Sequence, residues 1–451
     1  MASPKDSRLE NIIKKLPASF SFGVATSSYQ IEGSSFGGCG RSHWDEFARQ
    51  PDSVFNHEDG AIACDHYHLF ESDLELIANA GFDSYRFSFS WPRLLPEYAG
   101  GVNPEGLAFY DRLIDGMLAR GLAPNATLYH WDLPLYHAAK GGWQVRDTAS
   151  YFADYTDLVM RYFGDRLAMI APVNEPWCVS FLSHYWGHHA PGLSSISATA
   201  KSMHYIQLAH GLSVQVMRSH GHKQIGCVLN KELGVPADDS DETAKLTGLF
   251  DGIYNRWFEE SIFKGRYPDD VLAILAPYMP HKFEQDLPIV ALPLDWAGVN
   301  YYTRSMVAPD PEELYFGFKC VSGDLPTTDM DWEIVPEGLG FFLRRLAKDY
   351  AVDLPLYVTE NGMANADSQI ESRVVDSART EFFADHLTEI LILVGQGLPV
   401  AGYYAWSLLD NFEWAFGYEK RFGLVHVDFE SQKRTPKQSY FDWQQALRAR
   451  R

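Results

Sequence analysis

Short apolar runs alternate with longer amphipathic runs along almost the whole of this 451-residue chain. Short apolar runs bounded by turn residues are typical of buried strands, and the amphipathic runs between them predict helices. Parallel neighbours in a sheet need a crossover of a dozen or more residues, so this alternation favours a parallel α/β sheet. The predicted strands are Phe22–Thr26, Ser84–Ser88, Ala123–Tyr129, Met169–Asn174, Gln224–Asn230, Trp296–Tyr301, Leu356–Thr359 and Val400–Trp406.

The chain shows no linker that would divide it into domains. At roughly 150 residues per domain its length would give about three, but an α/β barrel can take up such a length as one unit. We therefore predict a single (β/α)8 TIM barrel over residues 1–451, with residues 1–16 as an N-terminal extension. The predicted helices are Tyr67–Ala80, Gly106–Arg120, Tyr151–Phe163, Ile196–His220, Ala244–Phe263, Gly338–Asp349 and Ser377–Gly395.

Polar, charged and aromatic residues that could bind a substrate or take part in catalysis cluster where the predicted strands end. In a TIM barrel the C-terminal strand ends converge on one mouth, so residues hundreds of positions apart become neighbours. We expect the active site at that mouth. The residues that follow or end strands in this way include Gln30, Arg86, His130, Trp131, Asn174, Glu175, Tyr302, Glu360 and Trp406.

Two glutamates, Glu175 and Glu360, each lie just past a short apolar run. An unpaired carboxylate in a buried position is costly, so this placement suggests a chemical purpose. Paired carboxylates in a cleft can cleave a glycosidic bond, because one protonates the leaving oxygen while the other attacks the anomeric carbon or activates water. Exposed loop glutamates or structural ion pairs remain alternative interpretations on this pattern alone.

Six sequence blocks place polar and aromatic residues together at Phe22–Gly33, Tyr129–Pro134, Asn174–Trp177, Asn300–Tyr302, Thr359–Gly362 and Trp406–Trp414. Together these blocks resemble glycoside hydrolase family 1, the β-glucosidase family. They occur in the family order and extend from Phe20 to about Tyr440. The resemblance implies a retaining β-glycosidase, most simply a β-glucosidase that hydrolyses terminal β-D-glucosyl residues of aryl glycosides or short oligosaccharides. Fucosyl and galactosyl residues are further candidates.

The same resemblance implies roles for the catalytic residues. Glu175 would be the general acid/base and Glu360 the nucleophile, with their carboxyl groups about 5–5.5 Å apart, as retention requires. Arg86 would hold the nucleophile as a carboxylate and Tyr302 would donate a hydrogen bond to it. Asn174 would bind the sugar 2-hydroxyl.

The resemblance also implies a sugar-binding set. Gln30, His130 and Glu413 would bind ring hydroxyls, and a carboxylate at Glu413 would repel a phosphorylated sugar. Aromatic residues would supply the floor of the pocket and flank the leaving group. The floor residues are Trp131, Trp406 and Trp414, and the flanking residues are Trp177 and Trp332.

Pro172 is a departure from the family, which usually has a threonine at this position of the acid/base strand. Proline donates no backbone hydrogen bond, and a closed barrel has no free edge to accommodate that loss. We therefore expect a bulge or an early strand end at Ala171–Pro172. Without the threonine hydroxyl, a possible support for Asn174 is also missing.

Composition excludes several partners. The chain has 59 Asp and Glu against 38 Lys and Arg, a formal net charge of −21, and affinity for nucleic acid depends on cations that neutralise phosphates. Ile390–Leu409 is uncharged and long enough to cross a bilayer, but internal Gly and Pro residues predict a helix end, a turn and a strand instead. We expect neither a nucleic-acid nor a membrane partner, and the oligomeric state stays open.

The cysteines and histidines suggest neither disulfides nor a metal. The five cysteines are far apart and lack a C-x-x-C spacing, so no disulfide framework is predicted. Residues 1–16 show no sustained apolar run that would predict a secretory signal. Both features predict a cytoplasmic location. The histidines His184, His188 and His189 are close together but lack carboxylate ligands at metal-binding spacing. We expect no metal and no cofactor.

Two alternatives remain open at this stage. A barrel of this kind can be an inactive sugar-binding protein, since fold does not imply function. The presence of Glu175, Glu360, Arg86 and Tyr302 argues against such degeneration. A retaining enzyme that acts mainly as a transglycosylase, with a sugar in place of water, has the same sequence features. A role in cellulose degradation accords with the hydrolase prediction.

Overall fold

The structure, a computed structural model, describes residues 7–97, 101–370 and 373–450, without the side chains of residues 368–370. Its centre is a parallel barrel in which each strand pairs with the next along the chain and the last pairs with the first. The predicted (β/α)8 fold is confirmed. The barrel strands are β1 (Ser21–Ala25), β2 (Ser84–Ser88), β3 (Ala123–Tyr129), β4 (Met169–Val173), β5 (Gly226–Pro236), β6 (Trp296–Pro309), β7 (Leu356–Asn361) and β8 (Val400–Trp406).

Strands β5 and β6 are longer than the sequence predicts. Both continue past the barrel and stay paired as far as Pro236 and Val307, and β6 also pairs antiparallel with Phe318–Val321. The predicted ends at Asn230 and Tyr301 were therefore wrong. This extension stands beside the mouth of the barrel. The remaining short strands are Ser368–Ile370 with Arg373–Val375, and Val425–Asp428 with Lys433–Pro436.

The longer helices cover the outside of the barrel, and short ones such as Ser28–Ile31 lie in the connections at its mouth. Local caps fix several starts: the Ser195 hydroxyl accepts from the Ala198 amide, and the Asn103 side chain accepts from the Glu105 amide, with a proline at the first helical position. The α-helices are Arg8–Ile13, Ser28–Ile31, His43–Phe47, His66–Ala80, Trp91–Leu94, Pro104–Ala119, Leu135–Ala138, Arg146–Phe163, Ile196–Ser219, Asp241–Asp251, Trp257–Lys264, Asp269–Leu275, Leu287–Val290, Pro336–Arg345, Ser377–Gly395 and Gln438–Arg450.

Wider or tighter turns interrupt the helical pattern at several points. The predicted helix Ala244–Phe263 is divided by a π-turn, and the predicted helix Gly338–Asp349 ends in another. The π-turns are Cys178–Leu182, Gly252–Arg256 and Leu346–Tyr350, and the 3₁₀ turns are Phe55–His57, Gly142–Gln144, Ala276–Tyr278, Phe283–Asp286 and Trp414–Phe416.

The described part of the N-terminal extension is built into the fold. Helix Arg8–Ile13 buries Leu9 and Ile13 and packs against the helices Ser377–Gly395 and Gln438–Arg450. It therefore belongs to the helical layer outside the barrel. Residues 1–6 of the predicted extension lie outside the described residues.

Pro172 lies inside β4 rather than at its end. The strand runs on to Val173, so the expectation of an early end is wrong. The expected irregularity lies on the β5 side, where β4 and β5 meet at two isolated bridges, Ile170 with Ile225 and Asn174 with Val228. Between these bridges β4 advances four residues and β5 three, which is the spacing of a bulge.

The uncharged run Ile390–Leu409 is divided as predicted. Helix Ser377–Gly395 ends before the glycine-proline stretch, and β8 begins at Val400. Within the described residues, no helix combines the length and the apolar character that crossing a membrane requires. The run supplies an outer helix and a buried barrel strand.

Candidate active site

A cavity of about 640 Å³ opens at the C-terminal ends of the barrel strands. It lies where the topology predicts an active site. Most of the predicted site residues line it, whereas Gln30, Arg86 and Asn174 lie behind the lining. The predicted residues on its wall are His130, Trp131, Glu175, Trp177, Tyr302, Trp332, Glu360, Trp406, Glu413 and Trp414.

Glu360, near the end of β7, is held by two strong donors. Arg86 on β2 donates from Nη1 to Glu360 Oε1 at 2.5 Å, and the Tyr302 hydroxyl on β6 donates to Oε2 at 2.7 Å. Arg86 and Glu360 are both buried. A buried charge pair of this kind favours the ionised carboxylate.

Glu175, just past β4, is held by different donors. The Asn300 amide nitrogen donates to Glu175 Oε1 at 2.7 Å, and the Cys178 thiol donates to Oε2 at 3.2 Å. Neither donor carries a charge. Sequence reasoning did not assign either one: Asn300 is the Cα partner of Glu360 in the β6–β7 register, and Cys178 follows Glu175 by one helical turn.

These surroundings separate the pKa values of the two carboxyls. Burial and then the negative charge of Glu360 raise the pKa of Glu175 to about 8. Burial also raises the pKa of Glu360, but the Arg86 guanidinium and the Tyr302 hydroxyl oppose that rise. The pair therefore keeps its proton on Glu175 and its negative charge on Glu360.

Asn174 is fixed in one orientation by its neighbours. Its Oδ1 accepts from Arg86 Nη2 at 2.7 Å and from Asn300 Nδ2 at 3.0 Å, so its amide nitrogen points the other way and lies 3.1 Å from His130 Nε2. Burial and Arg86 lower the pKa of His130 well below its usual value, so the ring is neutral. The His130 Nε2 atom accordingly accepts a hydrogen bond from Asn174.

Aromatic rings form the wall around His130. Trp414 lies 4.6 Å from Trp131 between ring centroids, and Trp406 stacks on His130 at 5.8 Å with an interplanar angle of 18°. The Trp131 indole donates to the Asn174 carbonyl at 3.0 Å. The predicted floor residues therefore do lie together beside the catalytic pair.

Gln30 and Glu413 differ in whether their side-chain polar atoms are already hydrogen-bonded within the protein. The Gln30 amide donates to Asn411 Oδ1 and to the Phe412 carbonyl, both at 2.9 Å, while its oxygen accepts from Ser27. Glu413 Oε2 is shielded from solvent and has no hydrogen-bond partner among the residues that the structure describes. Burial and the negative charges of Glu360 and Glu175 raise the pKa of Glu413 to about 8.

Trp177 and Trp332 stand on two further sides of the cavity. Trp177 stacks on Tyr254 at 4.0 Å, and Trp332 lies 5.4 Å from the Tyr302 ring.

Three site residues also have positive φ, at 84° for Trp131 and 52° for both Glu175 and Trp414. Non-glycine residues adopt such conformations at a cost, and they concentrate at functional sites.

The described residues around the pair can be compared with the needs of a metal site. Across residues 7–97, 101–370 and 373–450, no group of three His, Cys, Asp or Glu side chains is placed to hold a metal ion. The absence of a metal or cofactor from the reaction stays a prediction.

A barrel mouth with two buried carboxyls of contrasting ionisation, walled by aromatic rings, defines a class of enzyme that cleaves glycosidic bonds. The sequence profile of glycosyl hydrolase family 1 matches residues 12–451 of this chain. The chain belongs to this family.

Individual relatives match over nearly their whole length. The β-glucosidase of an Agrobacterium species is 44% identical, covering 96% of this chain and 95% of the relative. The bifunctional β-D-glucosidase/β-D-fucosidase of Bifidobacterium breve is 39% identical, covering 95% and 96%. The β-glucosidase of Thermotoga maritima in complex with deoxynojirimycin is 40% identical, with a TM-score of 0.93 over 97% of this chain and 99% of that one.

Proposed function

We propose that the protein is a retaining β-glycosidase, chiefly a β-glucosidase, which hydrolyses terminal non-reducing β-D-glucosyl residues of aryl glycosides or short oligosaccharides. The observation that carries this proposal is the contrast between Glu360, held by a cation, and Glu175, held by neutral donors. The names of the Agrobacterium and Thermotoga relatives support glucose as the sugar, and the Bifidobacterium relative supports fucose as a second one. Galactose is a further candidate.

The first step forms a glycosyl-enzyme. Glu360 attacks the anomeric carbon and displaces the glycosidic oxygen, which takes the proton of Glu175 as the carbon–oxygen bond breaks. Esterification removes the negative charge of Glu360, and with it one of the two causes that raise the pKa of Glu175. Glu175 then deprotonates a water molecule that attacks the anomeric carbon and releases the sugar with its original configuration.

The neighbours of Glu360 prepare it for attack. Arg86 keeps the carboxylate ionised and, through Nη2, also orients Asn174. Tyr302 holds the second oxygen of Glu360 in place. Asn174 lies behind the cavity lining and uses one hydrogen of its amide nitrogen on His130, so it would reach the sugar 2-hydroxyl with the second hydrogen, a contact that strengthens in the transition state.

The sugar would be bound by the polar and aromatic residues around the pair. Glu413 supports this assignment, because its shielded Oε2 is free to accept from a ring hydroxyl. His130 and the rings of Trp131, Trp406 and Trp414 would bind the same sugar. The Gln30 amide donates to Asn411 and Phe412, so Gln30 would support the sugar site from behind the cavity lining.

The wider setting is part of the same proposal. The whole chain would be one catalytic domain that acts on a small-molecule β-glycoside, without a metal, a cofactor or a nucleic-acid partner. The cysteines Cys39, Cys64, Cys178, Cys227 and Cys320 are free thiols, which supports a cytoplasmic location. A contribution to cellulose degradation would follow from hydrolysis of short β-linked glucose oligosaccharides.

The direct test is incubation with an aryl β-glucoside while NMR follows the anomers of the released sugar. We expect the β anomer to appear first. An α first product would refute retention, and binding without release would point to an inactive sugar-binding barrel. A product in which the sugar has passed to an acceptor would identify a transglycosylase. A crystal structure should place the two carboxyl groups about 5–5.5 Å apart.

A further inference from the structure

A cluster of six charged side chains connects the segment that follows β7 with the segment that follows β8. Three acids balance three bases, five of the side chains are buried, and Arg421 is partly exposed. Burying an ion is costly unless partners compensate it, yet the proposed reaction uses none of the six and the cavity lining includes none of them. The members are Asp367, Asp376, Arg379, Asp410, Arg421 and Lys437.

Lys437 is the residue that joins the two segments. It lies directly before the helix Gln438–Arg450, and its ammonium donates to Asp410 Oδ1 at 2.6 Å and also pairs with Asp367. Asp410 Oδ2 accepts from Arg421 at 2.9 Å. Burial raises the pKa of Asp410, yet the charges of Lys437 and Arg421 bring that pKa below its ordinary value. Asp410 is therefore held as a carboxylate.

On the β8 side, the cluster is attached to the loop that carries Glu413. Asp410 lies three residues before Glu413. The two residues between them, Asn411 and Phe412, both accept hydrogen bonds from the Gln30 amide. The loop is therefore held at each position from the cluster to the cavity, and a displacement of Asp410 would also displace Glu413.

On the β7 side, the cluster is attached to the segment that follows Glu360. Arg379 donates to the Met363 carbonyl at 3.3 Å and to Asp367 at 3.1 Å, and Met363 lies three residues after Glu360. Arg379 also donates to the Arg421 carbonyl at 2.7 Å. The cluster therefore connects the backbone next to the nucleophile with the loop that follows β8. A buried polar network is fully satisfied only in such a specific arrangement.

We propose that Lys437 is a positioning residue for the sugar site. By pairing with Asp410 and Asp367 at once, it fixes the loop after β8 relative to the end of β7. The distance between Glu413, which would bind the sugar, and Glu360, which would attack it, then depends on this one ammonium. The inference rests on the proposed function, and it adds to it a residue that touches neither the substrate nor the catalytic pair.

The test is a double-mutant cycle between Lys437 and Glu413. It measures kcat/KM for an aryl β-glucoside in the unsubstituted enzyme, Lys437→Met, Glu413→Gln and the double variant, below every unfolding transition. We expect Lys437→Met alone to lower kcat/KM on the order of ten-fold, because two buried carboxylates lose their shared cation. In that background Glu413→Gln should cost about ten-fold less than in the unsubstituted enzyme, because Glu413 is already displaced.

Arg345→Met is the matched control. Arg345 also pairs with two carboxylates, Asp251 at 2.7 Å and Glu259 at 2.5 Å, and the cavity lining includes none of the three. This variant should lose stability as Lys437→Met does. Its kcat/KM should stay unchanged, and so should the cost of adding Glu413→Gln.

Two further variants keep the test decisive. Lys437→Arg retains the positive charge, so it should regain most of the lost kcat/KM. Arg421→Met removes the other cation of Asp410 from a partly exposed position. It should lower kcat/KM and reduce the cost of Glu413→Gln in the same direction, even if Lys437→Met fails to fold.

Either of two results would overturn the inference. If Glu413→Gln costs the same with and without the Lys437 or Arg421 substitution, the cluster stabilises the fold without positioning Glu413. If kcat/KM is unchanged in these variants, the loop keeps its place without the cations. If the unsubstituted enzyme does not cleave the glucoside, the proposed function itself fails, which is a different result.

Discussion

The surroundings of Glu360 and of Glu175 differ in charge, although Glu360 lies near the end of a barrel strand and Glu175 just past one. The two residues are almost equally buried, at 3% and 5% exposure. Glu360 meets a guanidinium and a phenol, and Glu175 meets an amide and a thiol. Burial alone would raise both pKa values alike. The neighbours therefore decide which carboxyl keeps the proton.

The largest effect should come from removing the charged side altogether. Glu360→Ala eliminates the attacking oxygen, so turnover of an aryl β-glucoside should fall by more than about 10⁴-fold. Steady-state assays give the rate, and calorimetry should still detect binding of the sugar. Near-normal turnover would contradict the assignment of Glu360 as nucleophile.

The next largest effect should come from the neutral side. Glu175→Gln cannot donate a proton, so kcat/KM should fall by about 10²–10⁴-fold for a leaving group that must be protonated. The loss should be much smaller for a dinitrophenyl glucoside, whose leaving group departs as a stable anion. A series of aryl glucosides measures this, and equal losses across the series would argue against Glu175 as the acid.

Replacing Arg86 should make Glu360 resemble Glu175. In Arg86→Met the pKa of Glu360 rises, so Glu360 becomes protonated at a higher pH. The acidic limb of the pH–rate profile should therefore shift to higher pH. Removing one partner of a buried pair should also cost about 3–5 kcal/mol of stability. The profile of kcat/KM against pH and a thermal unfolding curve measure the two effects.

Arg93→Met is the matched control for that variant. Arg93 forms a buried pair with Glu32 at 2.8 Å, and the cavity lining includes neither residue. We expect comparable destabilisation without movement of the acidic limb. If both variants move the limb equally, the effect of Arg86 is on folding and not on Glu360.

The smallest effect should come from Cys178. Glu175 must be protonated for the first step, so that step should slow as the pH rises through the Glu175 pKa of about 8. The Cys178 thiol lowers the pKa of Glu175. Cys178→Ala should therefore shift the basic limb of the pH–rate profile to higher pH, by less than about one pH unit. Cys178→Ser should restore the limb, whereas Cys227→Ala, another buried thiol, should leave it in place.

The sequence predicted the barrel well because each strand is a short apolar run that must be buried. It predicted β5 and β6 too short, since beyond Asn230 and Tyr301 these strands become partly exposed and lose the continuous apolar pattern. The sequence correctly predicted irregular pairing near Pro172. The irregularity is a bulge between β4 and β5, and β4 continues past the proline.

The site was predictable where a residue follows a strand, as Glu175 and Glu360 do. It was not predictable where contacts depend on register across the barrel. Asn300 bonds to Glu175 from 125 positions away, and nothing in its local sequence indicates that partner. Gln30 lies near the site, but its amide is engaged by Asn411 and Phe412, which only the folded chain reveals.

The junction between β4 and β5, where the two strands meet only at isolated bridges, divides the chain into two segments of four barrel strands each, and the two segments stay paired through β8 and β1. Glu175 belongs to the first segment and Glu360 to the second. Arg86, in the first segment, reaches across to Glu360, and Tyr302 binds the same carboxylate from within the second segment. Neither segment alone holds a complete acid and nucleophile. Enzyme turnover is therefore a reporter of assembly, and two polypeptides cut between these strands could regain it only by reassociating.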